Sequence, residues 1–161
     1  MPTIKEGIVV FVLEKAEGNR EEQYKHLLKQ AESLLKGERD WVANLANAAS
    51  LLYFSLERVN WCGFYLLRGE ELILGPFMGK PACSRIPVGK GVCGTAAEKR
   101  KTQVVPDVSQ FPGHIACDAD SRSEIVVPMI LKDRLIGVLD IDSPVKNRFD
   151  RVDQKYLEQY A

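Results

Sequence analysis

Four cysteines and one short acidic run are the residues of this chain that could do chemistry. Three of the cysteines, Cys83, Cys93 and Cys117, lie in the middle of the chain, while Asp140 and Asp142 end an apolar run. No pair of cysteines has the Cys-x₂₋₄-Cys spacing of a zinc site, so we predict no metal centre. Thiols beside clustered carboxylates, without a metal pattern, indicate thiol redox chemistry on a small cationic or amphoteric molecule.

Length and composition exclude several classes of function. The 161 residues are enough for one domain with a full core, and 22 basic residues balance 22 acidic ones. Nothing in this balance favours nucleic acid or an anionic membrane as partner. The apolar run from Ile8 to Leu13 is too short for a membrane span or a signal-peptide core. We therefore expect a cytoplasmic protein, whose cysteines are either inert core thiols or reactive ones because that compartment is reducing.

Two helices are predicted ahead of the main strands. Residues 21–35 carry apolar side chains at helical spacing, and Asp40 is the predicted N-cap of a second helix with an apolar face from Trp41 to Phe54. The short β-like run from Ile8 to Val12 suits either a tail or an added edge strand.

The rest of the chain alternates strand signals with two helices. Turn residues and period-two patterns predict two hairpins, 60–67 with 72–77 and 123–131 with 134–141. Between the hairpins we predict a short helix over 89–100 and an isolated strand over 103–105, and a final helix begins at about Asp150. This order predicts an α+β fold with a mainly antiparallel sheet of about five to six strands and helices packed on it. We expect a single domain over 21–161, with 1–20 as an extension of unclear role.

The faces of the strands separate the candidate residues. Asp140 and Asp142 are two residues apart and share a face, and Glu124 at the start of the partner strand could reach them. Such a cluster is costly to bury unless a proton or a cation is supplied, and a ligand ammonium group would serve. The alternative interpretation is that Asp140 and Asp142 are simply solvated, or that they cap the turn that follows the strand. Cys62 faces away from Trp61 with apolar neighbours, so we predict a small buried hydrophobe.

Electrostatics alone would choose Cys93 as the reactive thiol. Cys93 lies at a predicted helix N-terminus, where the helix dipole would lower its pKa. Cys117 lies in a long polar loop with Asp118 and Asp120 close behind it in the chain, and their charges would raise its pKa. His114, three residues before Cys117, is either a base for that thiol or a loop-positioning residue.

Residues 60–149 contain a series of distinctive motifs. They are Asn60-Trp61-x-Gly63-Phe64-Tyr65, Leu74-Gly75-Pro76-Phe77-x-Gly79, Ala82-Cys83, Ile86-Pro87-x-Gly89-x-Gly91-Val92-Cys93-Gly94, Gly113-His114-Ile115-Ala116-Cys117-Asp118, Ser123-Glu124-Ile125-Val126 and Gly137-Val138-Leu139-Asp140-Ile141-Asp142. These motifs closely resemble those of the free methionine-(R)-sulfoxide reductases, which are small single-domain GAF proteins. Ordinary GAF sensor domains share the fold but not this set of cysteines and acids.

The resemblance assigns roles to the thiols that electrostatics did not. It implies that Cys117 attacks the sulfoxide sulfur and becomes a sulfenic acid. Cys83 then resolves this acid as a disulfide, which thioredoxin reduces, and Cys93 is an alternative partner or relay. The choice of Cys117 is physically reasonable because a nucleophile must also lie where the bound sulfur sits.

The resemblance also implies how the substrate is held. Glu124, Asp140 and Asp142 would line the pocket, bind the ammonium group and help protonate the leaving oxygen, with Glu124 and Asp142 in the catalytic set. Trp61 and Tyr65 would line the part of the pocket that holds the methyl-sulfur end of the substrate. The chain departs from the family pattern at residues 1–20, at Cys62, and after its last residue, where the family's final helix usually continues.

The predicted function is the reduction of free L-methionine (R)-S-oxide to L-methionine, with thioredoxin as reductant and no cofactor. Whether the protein forms a homodimer is left open. The rival is a non-catalytic GAF module that binds a small ligand, or senses redox state through a Cys83–Cys117 disulfide. A pure binding module would need no resolving cysteine, which favours the enzyme.

Overall fold

A computed structural model describes residues 2–5 and 8–161 of the protein, with side chains from Val10 onward. Strands β1 (Pro2–Lys5) and β2 (Ile8–Phe11) pair in antiparallel fashion as a sheet of their own. The β-like run near the start is therefore a strand in the described residues. It is neither a tail nor an edge strand of the main sheet.

Two capped helices follow the N-terminal hairpin. Helix α1 (Arg20–Leu35) begins with a capping box at Asn19, and α2 (Trp41–Ser55) begins where the Asp40 side chain accepts a hydrogen bond from the Ala43 amide. The predicted N-cap is confirmed.

The apolar face of α2 is narrower than predicted. Its buried residues are Ala48, Ala49, Leu51 and Leu52. Trp41 and Phe54 are exposed, because Trp41 lies in the first turn and Phe54 is two positions past Leu52, on the opposite side of the helix.

The main sheet has six strands in the order β5-β4-β3-β8-β7-β6, and every neighbouring pair is antiparallel. This confirms the predicted α+β class and strand number. The strands are β3 (Trp61–Arg68), β4 (Glu71–Gly79), β5 (Arg85–Pro87), β6 (Gln103–Val105), β7 (Ser123–Leu131) and β8 (Arg134–Ser143); the remaining helices are α3 (Gly91–Lys99) and α4 (Arg151–Tyr160).

The sheet separates two hydrophobic cores. One lies under α1, α2 and α4 and contains Cys62, Leu139 and Ile141; the other lies under α3 and contains Trp61 and Tyr65. Cys62 is fully buried, as predicted, and lies on the opposite face from the other cysteines. No helix in the described part of the chain is both long enough and apolar enough to cross a membrane.

Candidate active site

Strand register brings three carboxylates together on the α3 side of the sheet. In the β7–β8 ladder Glu124 lies opposite Asp142, and in the β3–β8 ladder Trp61 lies opposite the same residue. Asp140 is two residues earlier on β8 and therefore points to the same side. The juxtaposition inferred from alternation is present in the structure.

The three acids are in an environment that favours their neutral forms. Glu124 and Asp140 are only 5% and 6% exposed, and Asp142 is partly buried. Burial, with the charge of Asp142 as the next cause, raises the pKa of Glu124 to about 8. Burial and the neighbouring acids likewise raise the pKa of Asp140 and Asp142 well above the ordinary range. The cluster therefore retains protons at neutral pH and can supply them to a bound group.

Cys93 lies against this cluster, at the start of α3. Its side chain is buried, and its sulfur lies 3.9 Å from Oε1 of Glu124. Burial raises the pKa of Cys93 well above its ordinary value, and Asp140 and Glu124 add to the effect. The prediction of a lowered pKa is wrong, because loss of solvent outweighs the helix dipole when the N-terminus of the helix is itself buried.

A disulfide joins Cys83 and Cys117, whose Cα atoms are 5.5 Å apart across 34 residues of chain. This is the pairing that the family resemblance implied. Cys62 and Cys93 are the free cysteines, and both are buried. Of these two, only Cys93 is on the same side of the sheet as the acids.

Two aromatic residues of β3 hold the segment that carries Cys83. The Trp61 indole donates a 3.1 Å hydrogen bond to the Lys80 carbonyl, and the Tyr65 hydroxyl donates a 2.9 Å hydrogen bond to the Cys83 carbonyl. Tyr65 also lines the cavity beside the acids, whereas Trp61 stacks on Phe77 with ring centroids 5.2 Å apart. Both aromatic residues thus hold the segment that carries Cys83, a contact that period-two alternation does not reveal.

Side chains from distant parts of the chain hold the loop that carries Cys117. The Asn60 amide donates hydrogen bonds of 3.3 Å to Asp118 and to Ser121, and Lys80 forms an ion pair with Asp120. Asn60 belongs to a family motif but was given no role from the sequence, and Lys80 was not singled out at all. Their contacts were not predictable locally, because their partners are far along the chain.

His114 faces the acids. Its Nε2 lies 3.7 Å from Oε2 of Glu124, and partial burial lowers its pKa. From the sequence this imidazole was expected to act as a base for Cys117 or to position the loop; in the structure its ionisable neighbour is Glu124. A neutral imidazole there can exchange a proton with the carboxyl group.

The cavity at the centre of this site is small in the disulfide form. Its volume is about 30 Å³, which holds an ion or a water molecule but not an amino acid. Its lining includes Tyr65, Cys93, His114, Cys117, Glu124, Asp140 and Asp142. Because the loop of Cys117 forms one wall, a ligand of amino-acid size requires that loop to move.

A much larger cavity of about 430 Å³ lies on the other side of the sheet, next to α1. Its most buried acid is Asp153, which accepts a 2.6 Å hydrogen bond from Tyr24 and pairs with Arg20 and Arg148. This cavity contains no thiol, and its buried charge is already paired. The smaller cavity, which is lined by cysteines and clustered acids, is therefore the better candidate for the active site.

Known proteins identify the class of this fold and site. Residues 19–161 match the family model described as the GAF domain, so this is a GAF-domain protein. The free methionine-R-sulfoxide reductase of Escherichia coli is 52% identical over 141 residues, 88% of this chain and 86% of that protein. The reductase of the same name from Saccharomyces cerevisiae is 50% identical over 151 residues, 89% of this chain and 84% of the yeast protein.

A solved structure agrees with these two relatives. The free methionine-R-sulfoxide reductase of Neisseria meningitidis, in complex with its substrate, matches with a TM-score of 0.90 at 46% identity, over 94% of this chain and 91% of that one. The chain belongs to the free methionine-(R)-sulfoxide reductase family, as its motifs predicted.

Proposed function

We propose that this protein reduces free L-methionine (R)-S-oxide to L-methionine. The observation that carries the proposal is the Cys83–Cys117 disulfide at the edge of a buried, proton-holding cluster of Glu124, Asp140 and Asp142. Reduction of a sulfoxide needs a thiol that takes the oxygen and an acid that protonates it, and both are present in one cavity. The names of the relatives support the same substrate.

The first step transfers oxygen to a thiol. Cys117 sulfur attacks the sulfoxide sulfur and forms a transient sulfur–sulfur bond while the oxygen takes up a proton. The oxygen then moves to Cys117 sulfur as the sulfur–sulfur bond and the sulfur–oxygen bond of the substrate break, which releases methionine and leaves the oxygen as the hydroxyl of a Cys117 sulfenic acid. Cys83 then attacks Cys117 sulfur and displaces that hydroxyl as water, which leaves the disulfide. Over the two steps the two thiols lose two electrons in total, which reduce one sulfoxide to the sulfide, and its oxygen leaves as one water.

The acid cluster can couple substrate binding to proton transfer. Without a ligand, burial keeps these carboxyl groups neutral. An ammonium group beside them favours their ionised form, because an opposite charge lowers the pKa of a carboxyl group. Binding of the amino acid therefore makes an acidic proton available, and Glu124 or Asp142 delivers it to the developing oxygen.

The same cluster explains a preference for the free amino acid. Asp140 Oδ1 is buried without a hydrogen-bond partner, an arrangement that a ligand ammonium would satisfy. Methionine sulfoxide within a peptide lacks this charge and would leave the buried Asp140 oxygen without a donor.

Recycling requires an external dithiol. We propose thioredoxin as the reductant of the Cys83–Cys117 bond and the cytoplasm as compartment, since a cycle that starts from thiols needs a reducing environment. Cys93, buried behind the acids, is the alternative resolving thiol.

A coupled assay tests the function. NADPH consumption is followed with thioredoxin and thioredoxin reductase, using the free R epimer, the free S epimer and an N-acetylated R substrate that lacks the ammonium group. We expect turnover with the free R epimer alone, no turnover in Cys117→Ser, and full activity in Cys62→Ser as the matched control. Absence of turnover with every substrate in freshly reduced protein would instead favour the non-catalytic redox-sensing module.

A further inference from the structure

Three potential metal ligands converge beside the cavity. The Cys93 sulfur, one oxygen of Glu124 and one oxygen of Asp140 all lie within 4.8 Å of one another, and all three residues are buried. Asp140 is only 6% exposed, lines the cavity, and its Oδ1 has no hydrogen-bond partner. A bound cation is strongly stabilised at a buried acceptor that has no hydrogen-bond donor, because that acceptor is otherwise unsatisfied.

We propose that Cys93, Glu124 and Asp140 form a binding site for a thiophilic divalent cation, with Zn²⁺ as the ion that fits best. One sulfur and two carboxylate oxygens match the mixed ligands that zinc accepts. Calcium and magnesium bind oxygen ligands and need more of them than this cluster offers.

The separations between the three donors are somewhat larger than those of a tetrahedral zinc centre. Zinc–sulfur and zinc–oxygen bond lengths place neighbouring ligands about 3.5 Å apart, so the three donors need to approach one another by roughly 1 Å. His114 lies beside the cluster but outside it, with its Nε2 3.7 Å from Oε2 of Glu124, so it becomes a fourth ligand only by moving closer to the other donors. The alternative fourth ligand is a water molecule, for which the 30 Å³ cavity has room.

All three proposed ligands are available in the disulfide form. Cys83 and Cys117 are bonded to each other and contribute no ligand, while Cys93 is free. The cavity in this form has room for an ion but not for an amino acid. The ion therefore binds where the proposed function places the substrate ammonium, and it would exclude the substrate; this consequence rests on the proposed function, whereas binding itself does not.

Spacing along the chain could not reveal this site. Its ligands come from α3, β7 and β8, and sheet register with helix packing brings them together. The Cys-x₂₋₄-Cys rule detects only sites whose ligands are paired within one turn.

Cobalt absorption tests the proposal without any turnover. Co²⁺ is titrated into the disulfide form of the full chain, where we expect one equivalent to give a near-ultraviolet thiolate band and the visible bands of a four-coordinate ion. Zn²⁺ affinity is then measured by competition with a chromophoric chelator. We expect Cys93→Ser to lose the thiolate band and to bind Zn²⁺ at least about tenfold more weakly, with Cys62→Ser unchanged.

A second variant distinguishes the loss of a metal ligand from misfolding of the protein. Asp140→Asn keeps the shape of the side chain, and we expect it to keep the thiolate band but to weaken Zn²⁺ binding, with circular dichroism unchanged. The proposal is overturned if the wild-type protein gives no thiolate band, if that band survives in Cys93→Ser, or if Asp140→Asn binds Zn²⁺ as tightly as wild type. These spectra decide the matter whether or not the protein reduces methionine sulfoxide.

Discussion

The Tyr65 hydroxyl donates a 2.9 Å hydrogen bond to the backbone carbonyl of Cys83. A core residue of the central strand β3 thus holds the main chain of one partner of the disulfide. The other partner, Cys117, is carried by a loop that must move to admit a ligand. In the proposed cycle Cys83 is therefore the fixed thiol, and Cys117 is the one that changes position.

Tyr65→Phe should slow resolution more than oxygen transfer. Loss of this hydrogen bond frees the Cys83 carbonyl and should lower the free energy of unfolding by about 1 kcal/mol. The rate of Cys83–Cys117 disulfide formation, measured by chemical quench after one equivalent of methionine sulfoxide, should fall further than the rate of methionine release.

A matched control exists on the opposite face of the sheet. The Tyr160 hydroxyl donates a 2.9 Å hydrogen bond to the Ala48 carbonyl. Tyr160→Phe should cost similar stability and leave both rates intact. Equal slowing of disulfide formation in the two variants would contradict a positioning role for Tyr65.

Stability should fall as pH rises through neutrality. The folded-state pKa of Glu124, about 8, lies above its ordinary value of 4.5, so between these values the folded protein holds a proton that the unfolded chain has lost. The stabilising contribution is complete below the lower value and is lost as pH rises through the upper one. With a chelator present, we expect the free energy of unfolding to decrease from about pH 5 to about pH 8 by on the order of a few kcal/mol.

Glu124→Gln identifies the group responsible. This variant keeps the shape of the side chain and removes its titration, so its unfolding free energy should vary less with pH than that of wild type. Denaturant melts at several pH values measure both slopes. Identical slopes would show that another group, such as Asp140, carries the dependence.

Cys83→Ser should stop the cycle after one turnover. Without its resolving thiol, Cys117 should remain as sulfenic acid, which dimedone labels and mass spectrometry locates. We expect a burst of about one methionine per protein and little thioredoxin-driven turnover. If Cys93 acts as the alternative partner, residual turnover in Cys83→Ser disappears in the Cys83→Ser/Cys93→Ser double variant. Full turnover in that double variant would rule out both resolving roles.

Asp153→Asn should destabilise the fold without altering the chemistry. Asp153 is fully buried, accepts the Tyr24 hydroxyl at 2.6 Å and pairs with Arg20 and Arg148. Removal of one partner from a buried charged network costs about 3 kcal/mol because the remaining charges stay desolvated. Denaturant melts measure the loss, and an exposed variant, Glu32→Gln, serves as control. Below the denaturation midpoint, the KM for methionine sulfoxide should be unchanged.

Local patterns predicted the elements well. The N-cap at Asp40 and the helix that starts after Asp150 depend on interactions between residues a few positions apart. The strand Gln103–Val105 was recognisable from its local residue pattern, although it pairs with the distant strand β7. The N-terminal hairpin was not foreseen, because a run such as Ile8–Phe11 does not say with which strand it pairs.

The face of a strand on which a residue lies was predictable from the sequence, whereas the environment of its side chain was not. Period-two alternation placed Asp140 with Asp142 and separated Cys62 from Trp61, since the pleat of a strand fixes these directions within the chain itself. The raised pKa of Cys93 came from desolvation by α3, β7 and β8 together, which no local pattern contains.

The sequence by itself thus determined the fold class, the family and the two sides of the sheet, because these depend on periodicity and on motifs of neighbouring residues. Only the tertiary structure decided that Tyr65 holds the Cys83 carbonyl, that His114 faces Glu124, and that Cys93 joins the acids. Contacts of this kind depend on the register of strands and the packing of loops far apart in the chain. Burial, which governs the pKa values and the metal affinity of these groups, is a property of the assembled core.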